Sequence, residues 1–241
     1  MDTPSAPEYP ERMSSFMTTE HFTLQSARGI LNGEIMSRVN IYFTTLGSVL
    51  IASAFLAQVP EMNDLFELFT WIAFPVAIHL GVFTLARLMV LGRTDFVYIR
   101  AINRIRQFYV QAAPEMERFL LFPPHDDDRS AHVYGGYATN FRGNLLSAAH
   151  AVSVTNSIVA TVVLSAAISS ALGMTAARFL PFGLGILVVV YVLHGFIGFA
   201  LAKKDLEPDH LQARFPAPQP GPPAGESSEM PAEVRRTADS G

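Results

Sequence analysis

The chain reads as an all-α membrane protein: four transmembrane helices in a bundle, with one cytoplasmic helical loop between the second and third. Three observations predict this. Half of the 241 residues are hydrophobic and only 16% are charged, against about 25% charged in soluble domains. The apolar residues are concentrated between polar ends, 1–38 and 203–241. Within that middle part, uncharged stretches are long enough to cross a bilayer, which takes roughly 20 apolar residues at about 1.5 Å each.

In chain order, residues 1–18 are expected to form a disordered N-terminus. Residues 19–38 follow as a cytoplasmic or interfacial helix, with Thr18 or Thr19 as N-cap and Phe22, Ala27, Ile30, Leu31 and Ile35 as its apolar side. Gly29 and Gly33 weaken that helix. Residues 39–92 form the first transmembrane hairpin. No charge occurs between Arg38 and Glu61, so 40–59 is the first span. The second covers 68–91, uncharged up to Arg87. Pro75 is expected to kink it and to leave the Trp71 carbonyl without its helical donor.

Residues 93–146 make the cytoplasmic loop. It opens at Thr94-Asp95 and carries Phe96, Ile99, Ile102, Ile105 and Phe108 at helical spacing. Arg93, Arg100 and Arg104 fall on one face of that helix, at i, i+7 and i+11. They read either as a site for an anionic lipid or ligand or, more plainly, as a solvated basic face. A short helix at 115–122 is stopped by Pro123-Pro124. His125-Asp126-Asp127-Asp128 invites a divalent metal, but adjacent residues cannot all face one ion, and a solvated acidic turn is the simpler expectation. Residues 129–146, with Gly135-Gly136, Tyr134, Tyr137 and Asn140, read as irregular or as re-entering in a short helix.

The second transmembrane hairpin is 147–202. No Asp, Glu, Lys or Arg appears between Arg142 and Arg178, which gives a third span at 147–172 and a fourth at 179–202. Residues 203–241 carry seven prolines with few apolar neighbours and read as a disordered Pro-rich tail. Docking through Phe215-Pro-Ala-Pro-Gln-Pro is the alternative to a plain tail. Sixteen of the seventeen basic residues lie on one side of these spans and only Arg178 on the other. Both termini are therefore expected in the cytoplasm of a multi-pass plasma-membrane protein. The apolar run starts after about 39 polar residues, so no cleavable leader is expected.

Ser153, Ser157, Thr161, Ser165 and Ser169 recur every four residues in the third span, a small-residue stripe suited to close helix packing or to lining a water path. The intramembrane polar residues are His79, His150, Asn156 and His194. From the helical rise, His79 lies near mid-span, and His194 and Asn156 lie about 12 Å and about 15 Å from the cytoplasmic boundary. They read as interhelical hydrogen bonds or as a proton-linked site.

With no cysteine, disulfides, zinc–thiolate sites and thiol nucleophiles are excluded. No catalytic, cofactor-binding or metal-binding set is read from the sequence, and a net charge of −4 argues against nucleic acid. Glu20-His-Phe-Thr-Leu-Gln-Ser-Ala-Arg28, the Gly47 to Phe55 span and Tyr98-Ile-Arg-Ala-Ile-Asn-Arg-Ile-Arg106 resemble uncharacterised bacterial four-span integral membrane proteins. The resemblance covers about 18–202 and implies the four-span architecture, a bacterial inner membrane and no activity. The expected function is a non-enzymatic module that self-associates or holds a partner in the lipid bilayer. The alternative is an oligomeric ion channel or pore-forming effector gated at the Arg face.

Overall fold

Two helices of this chain are too long to be spans alone. A computed structural model describes residues 8–135, 147–173, 176–203 and 212–218, and among these there is no strand. Helix α1 is Glu8–Leu56, 49 residues, and α2 is Asn63–Ala112, 50 residues. At about 1.5 Å per residue each measures about 75 Å, more than twice the thickness of a bilayer core. The expected helix at 19–38 and the first span are thus one element, as are the second span and the helix of the loop.

The helix starts at Glu8, within the stretch expected to be disordered. Pro10 is compatible with this, because the amides of a first turn have no helical acceptor. Thr18 and Thr19 do not cap. Their hydroxyls donate back to Ser14 and Ser15 carbonyls at 2.9 and 3.0 Å. Asp95, at the expected start of the loop helix, lies in mid-helix and is buried. Pro75 sits within α2, and the helix runs through it.

A short 3-10 turn at Pro60–Met62 reverses the chain, and α2 returns antiparallel to α1. Tyr42, Arg28 and Thr18, in descending order on α1, meet Gly81, Asp95 and Tyr109, in ascending order on α2. A second 3-10 turn, Pro114–Phe119, leads to α3, Asp128–Gly135. Asp127 caps α3, accepting from the Ser130 amide at 2.9 Å and its hydroxyl at 3.1 Å. The remainder of the loop reading, 136–146, lies outside the described residues.

Helix α4 is Ala148–Leu172 and α5 is Ala176–Lys203. Ser147 caps α4 by accepting from the His150 amide at 3.1 Å. Gly173 ends it at φ 64°, a left-handed position that suits glycine. By length and composition, α1, α2 and α4 can each cross a membrane; in α5 the described apolar stretch, Gly183–Phe196, is shorter.

The core is in two parts. Tyr42, Leu46, Ala77, Leu85, Leu88 and Val152 bury one another between α1, α2 and α4. Further along α2, Ile99, Ile102 and Ile105 are buried at the level of α3 and its buried Ala131. Around the first core the outward side chains are large and apolar, Ile51, Phe55, Ile72, Val76, Val162 and Val189 among them, each about 57–68% exposed. The apolar segments therefore carry polar groups inside and hydrocarbon outside, the reverse of a water-soluble domain.

Candidate functional site

Asn156 is the centre of a buried polar node where α1, α2, α4 and α5 meet. It faces α2 at Gly81, where a Cβ would overlap the Asn156 carboxamide and come 2.8 Å from the Tyr42 ring. Glycine is needed there for this approach, not for a turn. The Asn156 Nδ2 donates to the Ile78 carbonyl at 3.2 Å and lies 3.0 Å from His194 Nε2. Its Oδ1 accepts from the Tyr42 hydroxyl at 3.3 Å. All three residues are nearly inaccessible, Tyr42 and Asn156 at 1% and His194 at 5%.

The partners fix the proton positions. Ser157 Oγ spends its hydrogen on the Ser153 carbonyl at 2.7 Å. His194 Nδ1 lies 2.9 Å from the Val190 carbonyl and 3.2 Å from Ser157 Oγ, two acceptors. So Nδ1 carries the hydrogen, Nε2 accepts from Asn156, and the imidazole is neutral. Every polar group in the node then has a partner with no net charge.

The structure thus brings together Asn156 and His194 of the four polar residues singled out in the sequence. His150 instead pairs at its Nδ1 with the Tyr191 hydroxyl, 3.1 Å away. His79 points away from the node and is exposed on the outer side of α2. Of the stripe, Ser153, Ser157 and Thr161 are buried and Ser165 and Ser169 are half-buried. Thr161 donates back to the Ser157 carbonyl at 2.7 Å, and Ser165 Oγ would lie 3.4 Å from a Cβ at Gly183. Ser157 and Ser165 of the stripe face the chain's own α5.

A second polar cluster lies beyond the apolar segments. Arg28 clamps Asp95 with two bonds, 2.6 and 3.0 Å, and the Asp95 side chain is only 4% exposed. Arg106 stacks over Tyr134 at 4.0 Å, and Gln25 donates to the Tyr134 hydroxyl at 2.9 Å. Nearer the apolar segments, Glu34 accepts from Arg87 at 3.0 Å and from Arg38 at 2.9 Å, bonds that hold its carboxyl below the usual value.

Of Arg93, Arg100 and Arg104, the last two are drawn to the 125–128 turn. Arg100 donates to the Asp126 carbonyl at 2.8 Å and Arg104 to the Asp126 carboxylate at 2.5 Å, while Arg93 does not reach that turn. The acidic turn is solvated at Asp128, whose side chain is 75% exposed, but not at Asp126, where the sequence suggested the same. Asp126 is fully buried, and Asn103 secures the turn by donating to the His125 carbonyl at 2.8 Å. Its cover is residues 212–218, part of the tail expected to be free. The amides of Arg214 and Phe215 donate to the Asp126 carboxylate at 3.0 and 2.7 Å, and that of Ala217 to Asp127 at 2.8 Å. The Asp126 amide donates to the Phe215 carbonyl at 3.2 Å, and Arg104 to the Gln212 carbonyl at 2.6 Å. Burial alone would raise the Asp126 pKa, but the Arg214 amide, the Arg104 guanidinium and the Phe215 amide outweigh it and hold it below the ordinary aspartate value.

Among the described residues, no three His, Asp or Glu side chains stand close enough to hold a metal ion. Tyr42, Gly81 and Asp95 were not singled out as site residues in the sequence, and Asp126 was weighed only as part of a metal-like acidic run. A tyrosine and a glycine in an apolar run carry no signal of a distant partner, whereas the acidic residue beside the Phe96–Ile105 helical pattern did. No protein-family model, no curated protein and no solved structure matches this chain.

Proposed function

We propose that the chain is a four-span, non-enzymatic membrane module, with both termini and the α2–α3 region in the cytoplasm, which self-associates through the outer side of α2. The arrangement of apolar surface around a neutral polar node supports the membrane reading, and the sixteen-to-one distribution of basic residues supports the orientation. The observation that carries self-association is His79. It sits near mid-span among Leu68, Ile72, Val76 and Phe83, all 57–60% exposed. Hydrocarbon offers an imidazole neither donor nor acceptor. Pro75, on the same side, adds a second need, since it leaves the Trp71 carbonyl without its helical donor. A neutral imidazole N–H can donate to the freed Trp71 carbonyl of a second copy, and a twofold axis repeats that bond.

The chain has no cysteine, so Val76→Cys introduces a unique thiol on this surface. Oxidation in proteoliposomes should yield a cross-linked dimer, and His79→Leu should weaken the dimer about tenfold, from interhelical bonds of about 1–2 kcal/mol. Monomers at every protein-to-lipid ratio, with no cross-link from positions 72, 76 or 83, would refute the reading. The channel alternative has less support, because Ser153, Ser157 and Thr161 are buried against the chain's own helices. Ion flux through liposomes, altered by Arg100→Ala, would revive it.

A further inference from the structure

We infer that the Asp126–Asp127 turn is a peptide-binding site whose resident ligand is the chain's own 212–218 segment, and that it takes in trans the same segment of a second copy. This goes beyond self-association through α2 and rests on different residues. The carboxylates are not an empty acidic cluster. They hold three peptide N–H groups, from Arg214, Phe215 and Ala217, and the one position between them that offers no N–H is Pro216. A proline at that point of a ligand loses nothing, and at the flanking points it cannot bind.

The site is built rather than fortuitous. Asp126 is fully buried and is fixed from behind by Arg104, while Arg100 and Asn103 hold the backbone carbonyls of Asp126 and His125. The reciprocal bond from the Asp126 amide to the Phe215 carbonyl sets the direction of the bound segment. Recognition is almost wholly by main chain. Gln212, Ala213, Arg214, Pro216 and Pro218 are exposed, and only Phe215 and Ala217 are half-buried. Main-chain recognition gives affinity with little demand on side chains, so another chain that presents the same shape can replace the resident. The covalent link raises the local concentration of the resident segment, so a ligand in trans competes against it.

The test uses full-length protein with a fluorescent peptide of residues 211–219. Wild type, with its site filled, should bind the peptide weakly. Arg214→Pro with Ala217→Pro in the protein removes two resident N–H donors and leaves the site intact, and should tighten peptide binding at least tenfold. Adding Asp126→Asn should abolish the gain. A peptide with alanine for phenylalanine should keep most of its affinity, and one with prolines in place of Arg214 and Ala217 should lose it. Should Asp126→Asn lower the melting temperature, Asp127→Asn, which touches only the Ala217 contact and the α3 cap, replaces it. Binding of the peptide no better by the Arg214→Pro/Ala217→Pro protein than by wild type would overturn the inference. The decisive arm mixes two variants, both in the His79→Leu background. Copies carrying Asp126→Asn should associate with Arg214→Pro/Ala217→Pro copies beyond wild type with wild type. Peptide binding without that association would mean that the segment is held only within its own chain, and would overturn the exchange between copies.

Discussion

Two buried polar clusters share helix α2, one around Gly81 and one beginning fourteen residues later at Asp95, and they are built in opposite ways. Around Gly81 the node is neutral: a phenol, a carboxamide, an imidazole and a hydroxyl, each with its hydrogens assigned. From Asp95 onward the cluster is ionic: Arg28 on Asp95, Arg104 on Asp126, Arg106 stacked on Tyr134. The difference follows from the surroundings. An ion between helices whose outer faces are apolar has few polar partners, and its desolvation is hard to recover, so polarity there is carried by neutral groups that satisfy one another. Past the apolar segments water is near, apolar burial of Ile99, Ile102 and Ile105 is itself a driving force, and ion pairs add direction to it.

The largest expected effect falls on the ionic side. Arg28→Ala leaves the Asp95 carboxylate buried without its clamp, which costs about 4 kcal/mol. In a thermal melt followed by a label near the end of α2, it should lower the midpoint more than any single substitution in the neutral node. Arg28→Ala with Asp95→Ala should recover more than half of the loss, because the buried charge goes too. No recovery would mean that packing of the arginine stem, not charge, holds the pair.

On the neutral side, Asn156→Leu leaves the Tyr42 hydroxyl and His194 Nε2 without partners, for a loss of about 3 kcal/mol. Gly81→Ala should cost a comparable amount by overpacking, since its Cβ meets the same carboxamide. Unfolding in mixed detergent and SDS micelles reads both. Gly81→Ala combined with Asn156→Ala should be markedly less than additive, because that truncation removes the carboxamide the Gly81 methyl would meet, whereas leucine, no smaller than asparagine, leaves the overlap in place.

How far these clusters were legible in the sequence differs in the same way. The depths of Asn156 and His194, about 15 and about 12 Å by helical rise, placed both at one level of the apolar region. Which helices touch at that level is a tertiary fact, so Tyr42, Gly81 and the pairing itself were out of reach. The uncharged runs that define the spans were plain to read. Their continuation into 49- and 50-residue helices was not, because a change from apolar to charged residues resembles an element boundary even where no breaker intervenes. Asp126 was misjudged for a related reason. A run of acids reads as solvated unless the arginines two turns and a loop away are known to face it.

Acid should separate the clusters. The Asp126 carboxyl is held below its ordinary value by Arg104 and the segment's amides. A group depressed in the bound state stabilises it fully above the ordinary pKa, and this is lost as pH falls through the lower, bound value. A spin label at exposed Pro218→Cys should therefore stay ordered between about pH 5 and pH 8 and become mobile only below the usual aspartate range. Loss of order near neutrality would place the titrating group elsewhere, and order kept at the lowest pH would mean that the contact does not need the charge.

The smallest effect is the sharpest test of how the node is wired. Ser157 accepts from His194 Nδ1, but so does the Val190 carbonyl, and more closely, at 2.9 against 3.2 Å. Ser157→Ala therefore leaves no donor orphaned, and the Ser153 carbonyl keeps its place within α4. The loss should be below about 1 kcal/mol, against about 3 for Asn156→Leu, in the same micelle titration. If Ser157→Ala instead matched Asn156→Leu, the Val190 carbonyl would not be taking the imidazole hydrogen. The tautomer assigned to His194 would then be reversed, with Nε2 donating and the Asn156 carboxamide turned to receive it.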